Sequence, residues 1–502
     1  MQPKDKQESD PPILLRGGRA DHTPSHGYGD AGTPSHSYCG AGMGKERAER
    51  LHEQSNHASG RTVPKKSVSS TLLGLREKAR KEPKCRFRSL YREINLPMLY
   101  ECFYELRRNA ATGVDGVSAE DYERDLDENL RGLLGRLIGK RYRAQHVRRQ
   151  YIPKGGGKMR PLGIPALEDK IVQLAASKLL QAIYEADFLD ESKGYRPKRG
   201  ARDASQELRE RLYLERVHWV VEADIKGFFE NVDHDWLERM LCQRVDDQAF
   251  IRLIRKWLKA GILEEAGQVI HPATGTPQGG IISPVLANIY LHYALDLWVE
   301  KVVPKRLHGA HVYMRYADDF VVGFEYGGDA ERFFEELPER LAKFGLSMAM
   351  EKSGIMRFSR CDVKGSKCFT FLGFEFHWAR TRKGKSTVKR RTSKKKFKAS
   401  LSDLKEWVRN NRSRPLKELA VTLRRKFTGY FNYYGVIGNS ERLWCYWSEA
   451  RKIIFRALNR RSQRLSFNWA GFSEMWKTLA IPNPHIVEKP YQRNHTWKLS
   501  YR

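Results

Sequence analysis

Two adjacent carboxylates set between two apolar runs are the strongest chemical signal in this chain. Tyr316-Ala317-Asp318-Asp319 lies between Val312-Tyr313-Met314 and Phe320-Val321-Val322-Gly323-Phe324. That pattern reads as strand, tight turn and strand, with both acids at the tip. Acids so placed repel one another and are costly to desolvate unless a cation meets them, and a divalent metal is the usual occupant. An ordinary Asp-Asp surface turn fits the same four residues. A third acid bears on the choice: Val217-His218-Trp219-Val220-Val221-Glu222-Ala223-Asp224 reads as a half-buried strand ending on a carboxylate. If the hairpin lies beside that strand, Asp224 and Asp318 can hold two Mg²⁺ ions. Two ions about 4 Å apart activate an attacking hydroxyl and stabilise a leaving phosphate oxygen. The chemistry implied is nucleotidyl transfer.

Other segments fit a phosphate-bearing substrate. Lys154 and Arg160 flank Gly155-Gly156-Gly157, a flexible cationic hairpin suited to a triphosphate, although a plain basic hairpin reads the same way. Gln278-Gly279-Gly280 offers an amide and unobstructed backbone just before a helix expected over Pro284–Trp298; glycine lets a base or sugar approach the main chain closely. A helix-leading turn with no ligand is the alternative.

The ordered series of motifs resembles a reverse transcriptase, and within that superfamily the group II intron-encoded reverse transcriptase/maturases. Asn109 to Ser118, Ile152-Pro153-Lys154 with Lys158 to Pro165, and Gly194-Tyr195-Arg196-Pro197 match successive blocks of that family. So do Asp224 to Phe229, Gly275 to Gly280 with Ser283-Pro284, Tyr316 to Asp319, Gly345-Leu346 with Glu351-Lys352-Ser353, and Phe371 to Phe374. The resemblance implies an α+β right-hand polymerase fold of fingers, palm and thumb, with an antiparallel palm sheet and a three-helix basic thumb/maturase domain. It implies that Asp224 and Asp318 ligate both Mg²⁺ ions, assisted by the Ile225 carbonyl, with Asp319 as the supporting carboxylate. Lys154, Arg160, Phe229, Gln278, Gly279 and Lys352 are then the dNTP-binding residues. Phe229 is the ring that excludes a ribose 2′-hydroxyl, and Leu372 and Gly373 belong to the primer grip. The implied activity is RNA-directed DNA polymerisation together with binding of the parent intron RNA to assist splicing and retromobility. The partners are intron RNA template, DNA primer or target, and dNTPs. A bacterial type without the HNH endonuclease is expected, since no Cys/His cluster follows the thumb. Three other readings stay open: a domesticated or defence- or repair-associated reverse transcriptase with no cognate intron, a non-catalytic maturase, and an RNA-dependent RNA polymerase.

Composition agrees with a polyanionic partner. The 502 residues carry a formal charge of +31, and residues 380–464 hold 26 Lys/Arg against 5 Asp/Glu, so about two-thirds of the excess lies in that stretch. Within it, Lys394, Lys395, Lys396, Arg424, Arg425, Lys426, Arg460 and Arg461 are the candidate RNA contacts. Such binding would be driven by phosphates and shape, and weakened by salt. Cys39, Cys85, Cys102, Cys242, Cys361, Cys368 and Cys445 form no CxxC pair, which argues against a zinc site and for a reducing compartment. The start is charged, and the apolar stretch from Ile281 to Val299 is interrupted by Asn288, His292 and Asp296. Neither a signal segment nor a membrane span is expected, and the localisation is bacterial cytoplasm, at the nucleoid.

Five segments follow. Residues 1–70 read as a disordered or weakly ordered arm with a duplicated decapeptide beginning at Thr23 and Thr33. Residues 71–215 are the N-terminal extension and fingers, 216–376 the palm with part of the fingers interleaved, 377–465 the thumb/maturase domain, and 466–502 a tail that could bind DNA. Ser118 with Asp121 suggests a capping box opening one helix that buries Leu126, Leu130, Leu133 and Leu137. An amphipathic run is expected over Leu174–Phe188. Three basic helices are expected in the thumb: one with Phe397, Leu401, Leu404 and Val408 on one face; one opened by Pro415; and one capped by Ser440 that buries Trp444, Trp447, Ile454 and Leu458. The run Gly429 to Gly435 resembles the maturase-specific part of group II proteins, and several of its rings should be buried.

Overall fold

The structure, a computed structural model, describes residues 67–155, 158–264, 267–276, 278–363, 365–461 and 466–489. The decapeptide repeat, Cys39, Gly156, Gly157, the Lys154 side chain and Trp497 lie outside the described residues. The described residues fall into two compact units, one drawn from within residues 1–190, 227–297 and 341–346, the other from within 191–226, 298–340 and 347–502.

The first unit is mostly helical. Ser67 caps the helix Val68–Lys81 by accepting from Ser70 N, so helix begins inside the segment read as a weakly ordered arm. Ser118 accepts from Asp121 N as expected, but the helix it opens ends at Arg124 and a second runs Leu126–Ile138. Asp125 leaves helical geometry at φ −121°, ψ 43°, and the Asn129 side chain takes the Tyr122 carbonyl at 3.1 Å. The hydrophobic spacing continues through the break, with Leu126, Leu130, Leu133 and Leu137 all buried. The amphipathic run expected at Leu174–Phe188 is the helix Leu167–Tyr184, whose Ile171, Val172, Ala175, Ala176, Leu179, Leu180 and Ile183 are fully buried. The strands Val147–Gly155 and Lys158–Ile164 form an antiparallel hairpin. The expected Pro284–Trp298 helix is interrupted: Ser283–Leu291 passes through a π turn at His292–Asp296 into Leu297–Lys301.

The second unit holds an antiparallel sheet ordered His311–Tyr316, Asp319–Phe324, Trp219–Ala223, Gly354–Arg357. Its central strands are built of β-branched and aromatic residues that fit a pleated surface. A second sheet joins Phe369–Phe371, Phe374–Arg380 and Ser386–Thr392. Three helices follow, Lys394–Asn411, Leu416–Tyr434 and Ser440–Leu458, as the basic amphipathic spacing requires. Phe427, Tyr430, Phe431 and Tyr434 join Phe369, Phe371, Phe374 and Phe376 in one core.

Two details differ from the sequence reading. Asn439, not Ser440, is the cap residue of the third helix; its side chain instead binds Thr392 and the Tyr434 carbonyl. Trp444 is 51% exposed, because the buried face runs through Leu443, Tyr446, Ala450, Ile454 and Leu458. Among the described residues, no helix is long and apolar enough to cross a membrane. The six described cysteines are free thiols.

Candidate active site

Strand geometry brings two of the three acids to one cavity. Ala223 pairs with Phe320, so the residue after the central strand, Asp224, comes level with Asp319 at the start of the neighbouring one. The hairpin closes with Tyr316 opposite Asp319 and only Ala317 and Asp318 between. Ala317 has φ 58°, a conformation that costs a non-glycine residue about 1–2 kcal/mol. Two neighbours hold it there. The fully buried Arg315 donates through Nη1 to the Ala317 carbonyl (2.9 Å) and through Nη2 to Ser192 Oγ (2.6 Å). Gly194 lies so close beneath that an added Cβ would overlap the Ala317 nitrogen and stand 3.0 Å from the Tyr316 carbonyl carbon. The Gly194-Tyr195-Arg196-Pro197 block therefore begins against the backbone of the acidic turn.

Asp224, Asp319 and Glu222 open on a cavity of about 440 Å³ whose other walls are Thr370, Phe371, Leu372, Gly373, Lys352, Lys396, Tyr433 and Tyr434, with Phe320 and Val321 between. Lys352 Nζ donates to Asp224 Oδ2 at 2.7 Å. The Asp224 backbone is pinned on both sides, its N–H by Ser353 Oγ (3.2 Å) and its carbonyl by Ala349 N (2.8 Å). Ile225 is buried and bridges to Met348.

The cavity is electrostatically tense. Burial first, then the charges of Asp318 and Asp224, raise the Asp319 carboxyl to about 6, against the opposing pull of Lys396 and Lys352. Glu222 is raised to about 7, mainly by burial; the Thr370 backbone opposes that rise, and Asp319 and Asp224 add to it. Hydrogen bonding to Asp224 raises Lys352. Carboxylates that resist sharing negative charge, with oxygen-only donors, suit a hard divalent ion. Among the described residues, though, no group of three or more His, Cys, Asp or Glu is gathered closely enough to hold one. Mg²⁺ ordinarily binds through one or two carboxylates, with waters and substrate phosphates completing the shell, so the pair at this cavity fits that ion better than a closed protein cage.

The turn at Leu372 and Gly373 joins two strands with Phe371 opposite Phe374, and both turn residues have positive φ, 52° and 79°. Two-residue hairpins favour such turns, but leucine at the first position is strained. Ser393 N donates to the Gly373 carbonyl (3.0 Å) and the Tyr433 hydroxyl to the Leu372 carbonyl (2.9 Å).

The remaining candidates divide between the units. Arg160 is exposed on the first unit's hairpin. Phe229, in the same unit, is half-buried against the edge of Phe228. Gly163 N donates to the Gln278 carbonyl (2.6 Å), and a Cβ on Gly279, whose φ is 112°, would stand 2.5 Å from the Gly163 carbonyl oxygen. The close approach that requires glycine there is made by the chain's own backbone. Among the basic candidates, Lys394, Lys395, Arg425 and Arg460 are exposed. Arg424 donates to the Leu479 carbonyl, Arg461 to the Arg414 carbonyl, and Lys426 lies 5.3 Å over the Trp407 ring. Lys396, grouped with them by sequence, lines the acidic cavity. Ser192, Arg315, Glu222 and Tyr433 were not legible as site residues; an arginine inside an apolar strand is the one signal that pointed to any of them.

Residues 152–376, which include the Asp224 strand and the acidic hairpin, match the family model for reverse transcriptase (RNA-dependent DNA polymerase). The chain thus carries a reverse transcriptase domain. It is 40% identical over 215 residues to the group II intron-encoded protein LtrA of Lactococcus lactis subsp. cremoris, covering 42% of this chain and 35% of that protein. It is 36% identical over 238 residues to protein YkfC of Escherichia coli (strain K12), covering 42% of this chain and 62% of that one. An uncharacterized 91 kDa protein in the cob intron of Schizosaccharomyces pombe is 33% identical over 240 residues. The expected affinity with group II intron-encoded reverse transcriptase/maturases is borne out, although the chain spans only 35% of the length of LtrA. Among solved structures, apo telomerase of Candida tropicalis aligns with 67% of this chain and 61% of its own at 14% identity and a TM-score of 0.39.

Proposed function

We propose that the chain is an RNA-directed DNA polymerase of the group II intron type, extending a primer 3′-hydroxyl with deoxynucleotides on an RNA template. The observation that carries this reading is the single cavity shared by Asp224, Asp319 and the strained Leu372–Gly373 turn, inside the stretch that matches the reverse transcriptase family. Asp224 and Asp318 would hold two Mg²⁺ ions, with Asp319, the hairpin acid that lines the cavity, supporting and the Ile225 carbonyl assisting. Bound there, the ions supply activation of the primer hydroxyl and stabilisation of the leaving phosphate oxygen. Lys352 neutralises Asp224 until substrate arrives and then serves the triphosphate. Lys154, Arg160, Gln278 and Gly279, all in the first unit, are nucleotide-binding residues on this reading, and Phe229 selects deoxyribose. Leu372 and Gly373 grip the primer. Residues 71–215 and 216–376 act as fingers and palm, 377–465 as thumb and maturase.

The second activity is binding of the parent intron RNA to assist its splicing and mobility, supported by the basic excess over residues 380–464 and by the intron-encoded relatives. The splicing chemistry belongs to the RNA; the protein stabilises its fold. Primer extension on poly(rA)/oligo(dT) with Mg²⁺ tests the first activity, and retention of intron RNA on the purified chain tests the second. A chain that extends no primer under these conditions removes the polymerase assignment.

A further inference from the structure

One side chain from the second of the three basic helices touches the backbone of the turn that faces the acids. Tyr433 lines the cavity and is 36% exposed. That hydroxyl donates to the Leu372 carbonyl at 2.9 Å. Its ring stacks on Phe374, centroids 5.7 Å apart and planes 11° from parallel, and meets Tyr434 edge-on at 4.8 Å. The turn it holds carries a leucine in the left-handed region, where a side chain persists only if its surroundings over-determine it. The far side of the same turn is fixed by Ser393 N on the Gly373 carbonyl, and Gly373 is hemmed in by Tyr434 Oη and the Lys396 stem, 3.2 Å and 3.4 Å from where a Cβ would stand. A backbone held out of its preferred conformation by a hydroxyl at a cavity wall is built for position. The ring packing would survive a phenylalanine; the grip on Leu372 would not.

We infer that Tyr433 is a positioning residue, resting on the polymerase reading above: its bond to the Leu372 carbonyl sets where the turn stands over Asp224 and Asp319, and so how the primer 3′ end meets the acids. The hydroxyl takes no part in bond making.

The test is Tyr433→Phe in the full chain beside wild type, on an RNA template with a DNA primer. The readouts are kcat, KM for dNTP, primer–template Kd and thermal midpoint. One lost hydrogen bond at a misplaced turn lowers kcat about tenfold, with Kd, KM and the midpoint unchanged. Tyr433→Ala loses the stacking as well, and its midpoint falls too. Wild-type kcat in Tyr433→Phe overturns the inference. So does a loss of kcat that merely follows a lowered midpoint or weakened primer–template binding, since a packing role alone does that. A wild-type chain that extends nothing removes the polymerase reading, and this inference with it, whereas an active wild type beside an unaffected Tyr433→Phe removes the inference alone.

Discussion

Lys352 lies on Asp224, its ammonium 2.7 Å from one carboxylate oxygen, and so occupies an oxygen that the proposed metal ion would share. A cation bound to a prospective ligand competes with any second cation for it. Lys352→Met therefore tightens divalent-ion binding to the substrate-free chain by a few-fold, a modest factor because the pair is solvent-screened. The same substitution raises KM for dNTP, since the proposed contact of the lysine with the triphosphate is lost. Mn²⁺ titration by isothermal calorimetry reads the first effect and steady-state primer extension the second. Unchanged metal affinity would show that the ion pair is incidental.

Gly194 has no space for a side chain because the backbone of Tyr316 and Ala317 fills it. Gly194→Ala must push the acidic turn away or strain it, and overpacking of this kind costs about 1–3 kcal/mol. Primer extension falls further than stability does, because the displaced atoms carry Asp318. Urea denaturation and extension rate, measured on the same preparation, separate the two effects. An alanine variant with wild-type extension would mean that the turn tolerates movement.

The hairpin and the Asp224 strand were legible because each is a short apolar run bounded by turn residues, a signal that local spacing carries. Residues brought in by tertiary contact were not. Lys396 reads as one of three consecutive lysines at a helix start, and only the fold shows that it lines a different surface from Lys394 and Lys395. Arg315 looks like a solvated charge on a strand, yet it is fully buried, spending its guanidinium on Ser192 and Ala317. The breaks at Asp125 and at His292–Asp296 left the hydrophobic period intact, so periodicity could not report them. Trp444 groups by sequence with Trp447, Ile454 and Leu458, whereas the packed face falls one residue earlier, at Leu443.

Asp318 is one of the two residues at the hairpin tip, and its charge raises the Asp319 carboxyl. Asp318→Ala relieves that repulsion but removes a proposed metal ligand. A metal ion supplies several kcal/mol of transition-state stabilisation, so polymerisation drops by roughly a hundredfold or more. The basic surfaces of Lys394, Lys395, Arg425 and Arg460 are untouched, so the proposed intron RNA binding and splicing assistance stay near wild type. Parallel loss of extension and splicing in a reconstituted assay would contradict the separation of the two activities.

Glu488 ties the segment that follows the helix Trp469–Thr478 into the core of the second unit. Its carboxylate meets the Arg390 guanidinium with both side chains essentially buried, 1% and 0% exposed, and also accepts from Ile437 N at 2.7 Å. Arg390 in turn donates to Ser205 Oγ at 2.7 Å, so the helix Ala201–Leu214, the strand Ser386–Thr392 and the segment around Glu488 converge on one ion pair. Removing one partner strands the other charge away from water, a loss of about 3–5 kcal/mol. Glu488→Ala therefore lowers the urea midpoint sharply, while Glu488→Ala combined with Arg390→Met, which removes both charges, recovers much of it. Each single variant and the double variant enter one double-mutant cycle. Additive losses there would mean that the two side chains stabilise the fold independently, through packing and not through their charges.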